Sequence, residues 1–365
     1  MTRLLVALSC CSMLTAASVS FAQSQCGNYP TTISTLKERG GRVDWSRAHD
    51  LIAYDDDRNA DGYFDVRVMS RDGSVDYCLT CWDPAQAPAG LKKNKGQPAW
   101  HPAGYYLVFQ AEFDDSSVGP KPSNPGRGVN NVLWLTDRNA TQFHQLTLPS
   151  VTTPATGVLH PHFSEDGGML SWSEMYEPSA VGTPGKAAGY WRLVTAKFVT
   201  DNGAPRLTDI TRHPPAVEGF YENHGFSPDG KLLIYSSNAA RSGYLDRLNN
   251  DIFTLDLASG VATRLTDTRY NEHASYFPSG RKILWMSNRG NISRGTDLWV
   301  MNPDGSQKER LTFLNRSGCP EETANRAVVA DSSINASGDA FVVYVQDELL
   351  GDVGSILLVE LAVPF

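Results

Sequence analysis

Two groups of side chains in this sequence have the types and spacing to do chemistry. The first is the stretch DDDRNADGYFD at 55–65. Read from Asp57, it offers the side-chain oxygens of Asp57, Asn59, Asp61 and Asp65, a sharp turn at Gly62, and the backbone carbonyl of Tyr63. Calcium takes roughly six to eight oxygen ligands, and a loop with oxygens at alternating positions supplies them. The bidentate Glu of an EF-hand would fall at Val68, so the loop is not an EF-hand. Asp, Asn and Gly also form turns for backbone reasons alone. Here, however, Asp56 adds a further like charge, and such crowding favours a bound cation. A structural Ca2+ that stiffens this loop is expected. The second group is dispersed along the chain: Arg42, Gln97, His160, Asn223, His273 and Asp331, with Glu222 and Glu272 one residue before two of them and His162 and His224 close by. Imidazole and carboxylate groups of this kind suit Zn, Mn or Ni.

What unites the second group is a repeat. An aromatic or apolar residue, a turn and an apolar run recur six times: DWSRAHDLIAY at 44, AWHPAGYYLVF at 99, HFSEDGGMLSW at 162, GFSPDGKLLIY at 225, SYFPSGRKILW at 275 and SINASGDAFVVY at 333. An alternating apolar strand follows each, and five of the six units then close on Leu-Thr, the first at Leu79-Thr80 and the last at Leu311-Thr312. Short β-branched and aromatic runs between Gly, Pro, Asp and Asn turns read as strands. No segment after the first 22 residues keeps a helical period. Six four-stranded units predict an all-β, six-bladed β-propeller. The sixth unit lacks its fourth strand, while TTISTLKE at 31–38 precedes the first unit with no other role. That N-terminal strand is expected to complete the last blade. Trp45, Trp100 and Trp172 in first and second strands, and Trp134, Trp191 and Trp299 in third strands, are expected to pack blade against blade.

In this frame Arg42, Gln97, His160, Asn223, His273 and Asp331 share one place, three residues before the repeat aromatic or, in the last unit, before Ile334. All six are polar at the inner end of an otherwise apolar strand, so a polar ring at a channel mouth is expected. The turns between first and second strands are tight, whereas those between second and third strands are long, as in EFDDSSVGPKPSNPGRGV at 112. Insertions gathered on one face of a repeat fold mark the face that binds a ligand.

Composition bounds the class. Charged residues are 20% of the chain and the net charge is -8, with no basic cluster, which argues against nucleic acid or an anionic membrane as partner. Residues 1–22 carry Arg3, an apolar run and Ser20-Phe21-Ala22, the form of a cleavable secretory signal. Residues 23–365 are then expected to be the propeller, periplasmic or secreted, with no transmembrane segment after cleavage. Cys26, Cys78, Cys81 and Cys319 remain, and an even number in an oxidising compartment implies two disulfides whose pairing stays open. Cys78-Leu-Thr-Cys81 has redox-motif spacing, but no βαβ pattern surrounds it, so a structural bond is expected.

The stretches FSPDGKLLIYSSN…DIFTLDLASGVATRLT and YFPSGRKILWMSNRG…TDLWVMNPDGSQKERLT resemble the repeats of TolB-type propellers, which also accompany peptidases of the prolyl oligopeptidase group. The resemblance runs over nearly the whole chain after residue 22 and is clearest at 220–313. It implies a propeller that binds rather than catalyses. Two departures limit it. TolB carries an α/β domain before its propeller, for which the segment before the first repeat is too short. The peptidases carry an α/β-hydrolase domain, and no Gly-x-Ser-x-Gly elbow occurs here. The loop at 57–65 resembles the calcium loops of integrin-type FG-GAP blades at Asp57, Asn59, Asp61, Gly62 and Asp65.

The function expected first is therefore a binding or scaffold module that takes a protein or carbohydrate ligand at its long-loop face. The alternative is a metal-dependent carbohydrate-active lyase or hydrolase with a transition metal in the channel. Oligogalacturonate lyases are a related propeller family that binds a metal in this way, though on seven blades.

Overall fold

A computed structural model describes residues 26–27, 31–57, 63–81, 93–113, 123–149, 156–180, 188–201, 203–240, 249–291, 295–346 and 354–365. Among these the protein is all strand and turn, arranged as six four-stranded antiparallel sheets. β1 (Thr31–Gly40) comes first in the chain and belongs to the last blade. Blade 1 is β2 (Val43–Trp45), β3 (Leu51–Asp56), β4 (Asp65–Ser70) and β5 (Asp76–Cys78); blade 2 is β6 (Lys95–Trp100), β7 (Tyr106–Glu112), β8 (Asn131–Asp137) and β9 (Phe143–Gln145). Blade 3 is β10 (Val158–Phe163), β11 (Met169–Glu177), β12 (Tyr190–Asp201) and β13 (Ala204–His213); blade 4 is β14 (Tyr221–Phe226), β15 (Leu232–Ser237), β16 (Asp251–Asp256) and β17 (Ala262–Arg264). Blade 5 is β18 (Asn271–Tyr276), β19 (Ile283–Ser287), β20 (Asp297–Met301) and β21 (Glu309–Arg310). Blade 6 is β22 (Val328–Ile334), β23 (Ala340–Gln346), β24 (Gly354–Leu361) and the returning β1.

Local chemistry explains why each unit folds alike. Five of the tight turns between first and second strands place a glycine at positive φ, Gly104, Gly167, Gly230, Gly280 and Gly338, where a side chain would be strained. The Leu-Thr motif is a latch. Its leucine is buried at Leu79, Leu265 and Leu311. Its threonine Oγ1 accepts the N–H of the second residue of the third strand, from Val66 to Thr80, Ile252 to Thr266 and Leu298 to Thr312. The same hydroxyls donate to the aspartate that opens that strand, at Asp65, Asp251 and Asp297. A buried backbone donor and a buried carboxylate are thus satisfied together.

Burial is organised between blades. Six buried apolar clusters occur, and each joins two neighbours. One unites Val43, Trp45, Ile52 and Tyr54 of blade 1 with Val342, Ile356 and Leu358 of blade 6, which closes the ring. Trp45, Trp100, Trp172 and Trp191 are buried in these contacts, as expected from their strand positions.

The N-terminal strand does complete the last blade: β1 pairs antiparallel with β24, from Thr31 opposite Leu361 to Gly40 opposite Gly354. A disulfide between Cys26 and Cys319, 293 residues apart, fastens the segment before β1 to the chain leaving blade 5. Thr31 Oγ1 also donates to Glu321 at 2.8 Å. The second disulfide joins Cys78 and Cys81 at the edge of blade 1.

Cys26→Ser should therefore destabilise the protein by about 5 kcal/mol if loop-closure entropy dominates, and removal of residues 23–40 should abolish the cooperative transition. Thermal melts of the oxidised variants check both. A truncated chain that melts like the full one would contradict this account of closure.

Candidate functional site

Five of the six first strands carry a β-bulge near their inner end, where two residues face one on the second strand. The bulges fall at Gln97–Pro98, His160–Pro161, His224–Gly225, His273–Ala274 and Ala330–Asp331. Bulges re-aim side chains, and they recur beside active sites. At Gln97, His160 and His273 the backbone takes φ of 53°, 49° and 48°. For a residue other than glycine, this left-handed conformation costs on the order of 1 kcal/mol.

The result is a triangle of imidazoles on the propeller axis. The rings of His160, His224 and His273 lie 5.4 Å from one another, centroid to centroid, for all three pairs. One nitrogen of each lies within 4.8 Å of the others. In blade 4 the sequence register is off by one. Its bulge lies one residue nearer the turn than in blades 2, 3 and 5, so His224 reaches the axis. Asn223 instead faces blade 3, donating to the His160 carbonyl at 2.8 Å and to Ser171 Oγ at 3.1 Å. It is a blade-to-blade tie and does not line the channel.

Carboxylates surround the triangle. Glu222 Oε1 lies 2.9 Å from His160 Nε2, and Asp331 Oδ1 lies 3.4 Å from His160 Nδ1 and 3.5 Å from His273 Nδ1. Glu272 Oε2 lies 3.7 Å from His273 Nε2 and accepts hydrogen bonds from Tyr270 Oη and Asn250 Nδ2. Gln97 donates its side-chain N–H to Asp331 at 3.1 Å and its backbone N–H to Asp55 at 2.9 Å. Arg42 donates to Asp55 through its backbone N–H and its guanidinium and lies over the rings of Phe64 and Tyr344. The ring expected from sequence thus comes together at Arg42, Gln97, His160, Glu222, His224, Glu272, His273 and Asp331. Asp55, Tyr270, Asn250 and Gln346 were not singled out. Asp55 was visible as the acid that directly follows the apolar run LIAY at 51–54, but the others carry no sequence signal.

Three cavities follow the axis. One of about 150 Å³ opens on the long-loop side and is lined by Arg127, Glu222, Glu272, His273, Asp331 and Gln346, among others. A waist of about 20 Å³ contains the histidine triangle, and a cavity of about 100 Å³ on the tight-turn side meets His162 and His224.

Burial and charge set the protonation pattern. Burial alone would depress His160, but Glu222 and Asp331 outweigh it and hold its pKa above the ordinary value. Burial would raise Glu222 and Asp331, yet the neighbouring histidines keep both below the usual carboxylate range. Burial, and then the charge of Glu222, push Glu272 well above that range. Burial, followed by the charges of His160 and His273, keeps His224 well below 6.5, and burial followed by His160 holds His162 down to about 3.

These residues fit a divalent transition metal. Three imidazoles with adjacent carboxylates are a suitable donor set. Two polar atoms of the ring, Gln97 Oε1 and His273 Nδ1, are buried without a hydrogen-bond partner among the described residues. Such atoms are costly in a folded protein unless something else meets them.

The acidic loop of blade 1 differs from its sequence reading. Asn59 and Asp61 lie outside the described residues. Asp57 is paired with Arg39. Asp65 belongs to the Asp-Thr latch and lies 3.1 Å from the buried Lys95 ammonium. Cations of the chain itself meet the charges of Asp57 and Asp65, so their balance does not require calcium. Tyr63 leads into β4.

Comparison with known proteins agrees with the fold. No family model matches the chain. The "Uncharacterized protein Atu1656" of Agrobacterium fabrum is 37% identical over 216 residues, 59% of this chain and 57% of that protein. The Tol-Pal system protein TolB of Francisella tularensis is 29% identical over 89 residues, 24% of this chain and 19% of that protein. The chain is similar to the TolB propellers. It spans less than two thirds of either relative's length. Among solved structures, the gluconolactonase XC5397 of Xanthomonas campestris matches with a TM-score of 0.55 at 14% identity, over 91% of this chain and 90% of that one. An oligogalacturonate lyase in complex with manganese matches with a TM-score of 0.53 at 10% identity, over 92% and 94%. At these identities the likeness is one of fold.

The pH dependence follows from the histidines. His162 and His224 have folded pKa values below their unfolded ones, so the stability they contribute is present above the ordinary imidazole range and is lost as pH falls. His160 has the opposite sign and loses its contribution as pH rises through its folded value. In metal-free protein the melting temperature should fall between about pH 7 and pH 4, and His162→Asn should flatten that slope. A slope unchanged by the substitution would contradict the assignment.

Proposed function

We propose that this protein is a metal-dependent propeller enzyme that acts on a small, oxygen-rich ligand, a carbohydrate unit, at the long-loop mouth of its channel. One observation carries the reading: three bulged strands from three blades bring together two buried imidazoles and one largely buried one, and the last has a buried nitrogen with no hydrogen-bond partner among the described residues. His160, His224 and His273 would hold a divalent metal. Bound there, it would supply Lewis-acid polarisation of a ligand oxygen. Asp331 places its charge beside His160 and His273, and Gln97 fixes Asp331, in the manner of the outer groups that tune metal ligands. The mouth beyond is lined by Arg127 and Gln346, which can meet hydroxyl or carboxylate oxygens of a ligand. The manganese-bound lyase and the gluconolactonase, both sharing the fold, make sugar chemistry at such a mouth reasonable.

A binding role for the same face has separate support in the similarity to TolB. The two readings divide on the histidines, since a scaffold would keep its partner without them. We place the chain outside the cytoplasm, with 1–22 as a leader and 23–365 as the propeller, because its four remaining cysteines form two disulfides. No helix among the described residues is long and apolar enough to cross a membrane.

Elemental analysis and turnover of oligosaccharides and lactones test the proposal. Wild type should hold a transition metal and turn over one of these classes. His160→Ala and His273→Ala should each weaken metal binding by roughly 100-fold or more and abolish turnover. Metal-free wild type that still captures a protein partner, with both variants unaffected, would favour the scaffold.

A further inference from the structure

The channel contains more ligand atoms than one ion uses. Beside the imidazole triangle, Glu222, Glu272 and His273 form a second set whose ligand atoms also lie within 4.8 Å of one another. The two sets share only His273. That ring is unusual in making no hydrogen bond among the described residues. Its Nδ1 is buried without a partner, 3.5 Å from Asp331, and its Nε2 lies 3.7 Å from Glu272. A neutral imidazole carries one N–H that needs an acceptor and one lone pair that needs a donor or a metal, so the buried Nδ1 end of this ring is unmet while Nε2 is turned toward Glu272.

The outer set is built to receive a cation. Glu222 and Glu272 are both buried, and both line the 150 Å³ cavity. Tyr270 and Asn250 each donate to one oxygen of Glu272, which fixes its plane and leaves further lone pairs on both oxygens. Gln346, with 9% of its surface exposed, lines the same cavity and has a buried side-chain oxygen with no hydrogen-bond partner among the described residues. Two buried carboxylates beside Asp331 repel one another, and the permanent cations among the described residues lining this cavity are Arg42 and Arg127. Arg42 is already held by Asp55.

We infer that the channel binds two divalent cations, an inner one at His160 and His224 and an outer, oxygen-rich one at Glu222 and Glu272, with His273 between them as a bridging imidazolate. The inference rests on the metal reading above and adds the second ion. Bridging releases the ring proton of His273 to solvent, and the outer ion displaces any proton held by Glu272, so filling both positions yields at least one more proton than filling the inner one. The outer ion is the one a ligand entering by the long-loop mouth meets first. Its carboxylates suit a harder ion such as Mn2+, whereas the inner imidazoles suit Zn2+.

Calorimetric titration of metal-free protein with Mn2+ and with Zn2+ tests this, run in buffers of different ionisation enthalpy to count released protons. Wild type should saturate at two equivalents, and the double variant Glu222→Gln, Glu272→Gln at one, with the extra proton lost. Circular dichroism reports whether the variant is folded, and wild-type stoichiometry decides the matter if it is not. Saturation of wild type at one equivalent overturns the second ion and leaves the first. Binding of no metal at all overturns the metal reading itself.

Discussion

The structure depends on the closing of a ring. No blade can bury both of its apolar faces alone, and the six clusters each lie between two blades. A ring of this kind is only as stable as its seam, because opening one interface exposes two faces at once. The seam here is made by strand β1, which brings the start of the chain to its end, and by the Cys26–Cys319 bond behind it. Everything on the axis inherits its position from that closure. Residues from blades 3, 4 and 5 meet at the triangle, while blades 6 and 2 supply Asp331 and Gln97 beside it.

Within the closed ring, the bulges do the local work. A regular first strand would alternate its side chains between the two blade faces and leave the channel lined by backbone. Inserting one residue turns the strand locally and directs a polar side chain to the axis, at the cost of a left-handed backbone at Gln97, His160 and His273. Strain repeated at equivalent positions in three blades, around polar atoms without partners, is the pattern of a site held ready for a ligand. The electrostatics agree. Burial works against a proton on His160, yet Glu222 and Asp331 hold its pKa above the ordinary value, while burial and the neighbouring histidines hold that of His224 well below it.

Much of this was legible in the sequence, and the limits are physical. The six repeats, the displaced strand TTISTLKE and the buried tryptophans follow from periodicity and turn chemistry, which are local properties. The polar ring was legible for the same reason. Its error at Asn223 was a single residue, because a bulge changes which neighbour faces the channel without changing residue types; the Gly after His224, at φ 94°, was the available sign. The acidic loop misled differently. Asp65 was counted as a loop ligand although Asp251 and Asp297 recur at the same distance before a latch threonine. Reading across repeats rather than along the loop would have assigned it to the sheet. The partners of Glu272 come from separate elements and leave no pattern along the chain.

The central claim is that three imidazoles on the axis hold a metal. An anomalous difference map from crystals grown with Mn2+, collected at the manganese absorption edge, tests it most directly. The account predicts a peak bounded by His160, His224 and His273. A map with no peak on the axis, or with its peak confined to the acidic loop of blade 1, would contradict it.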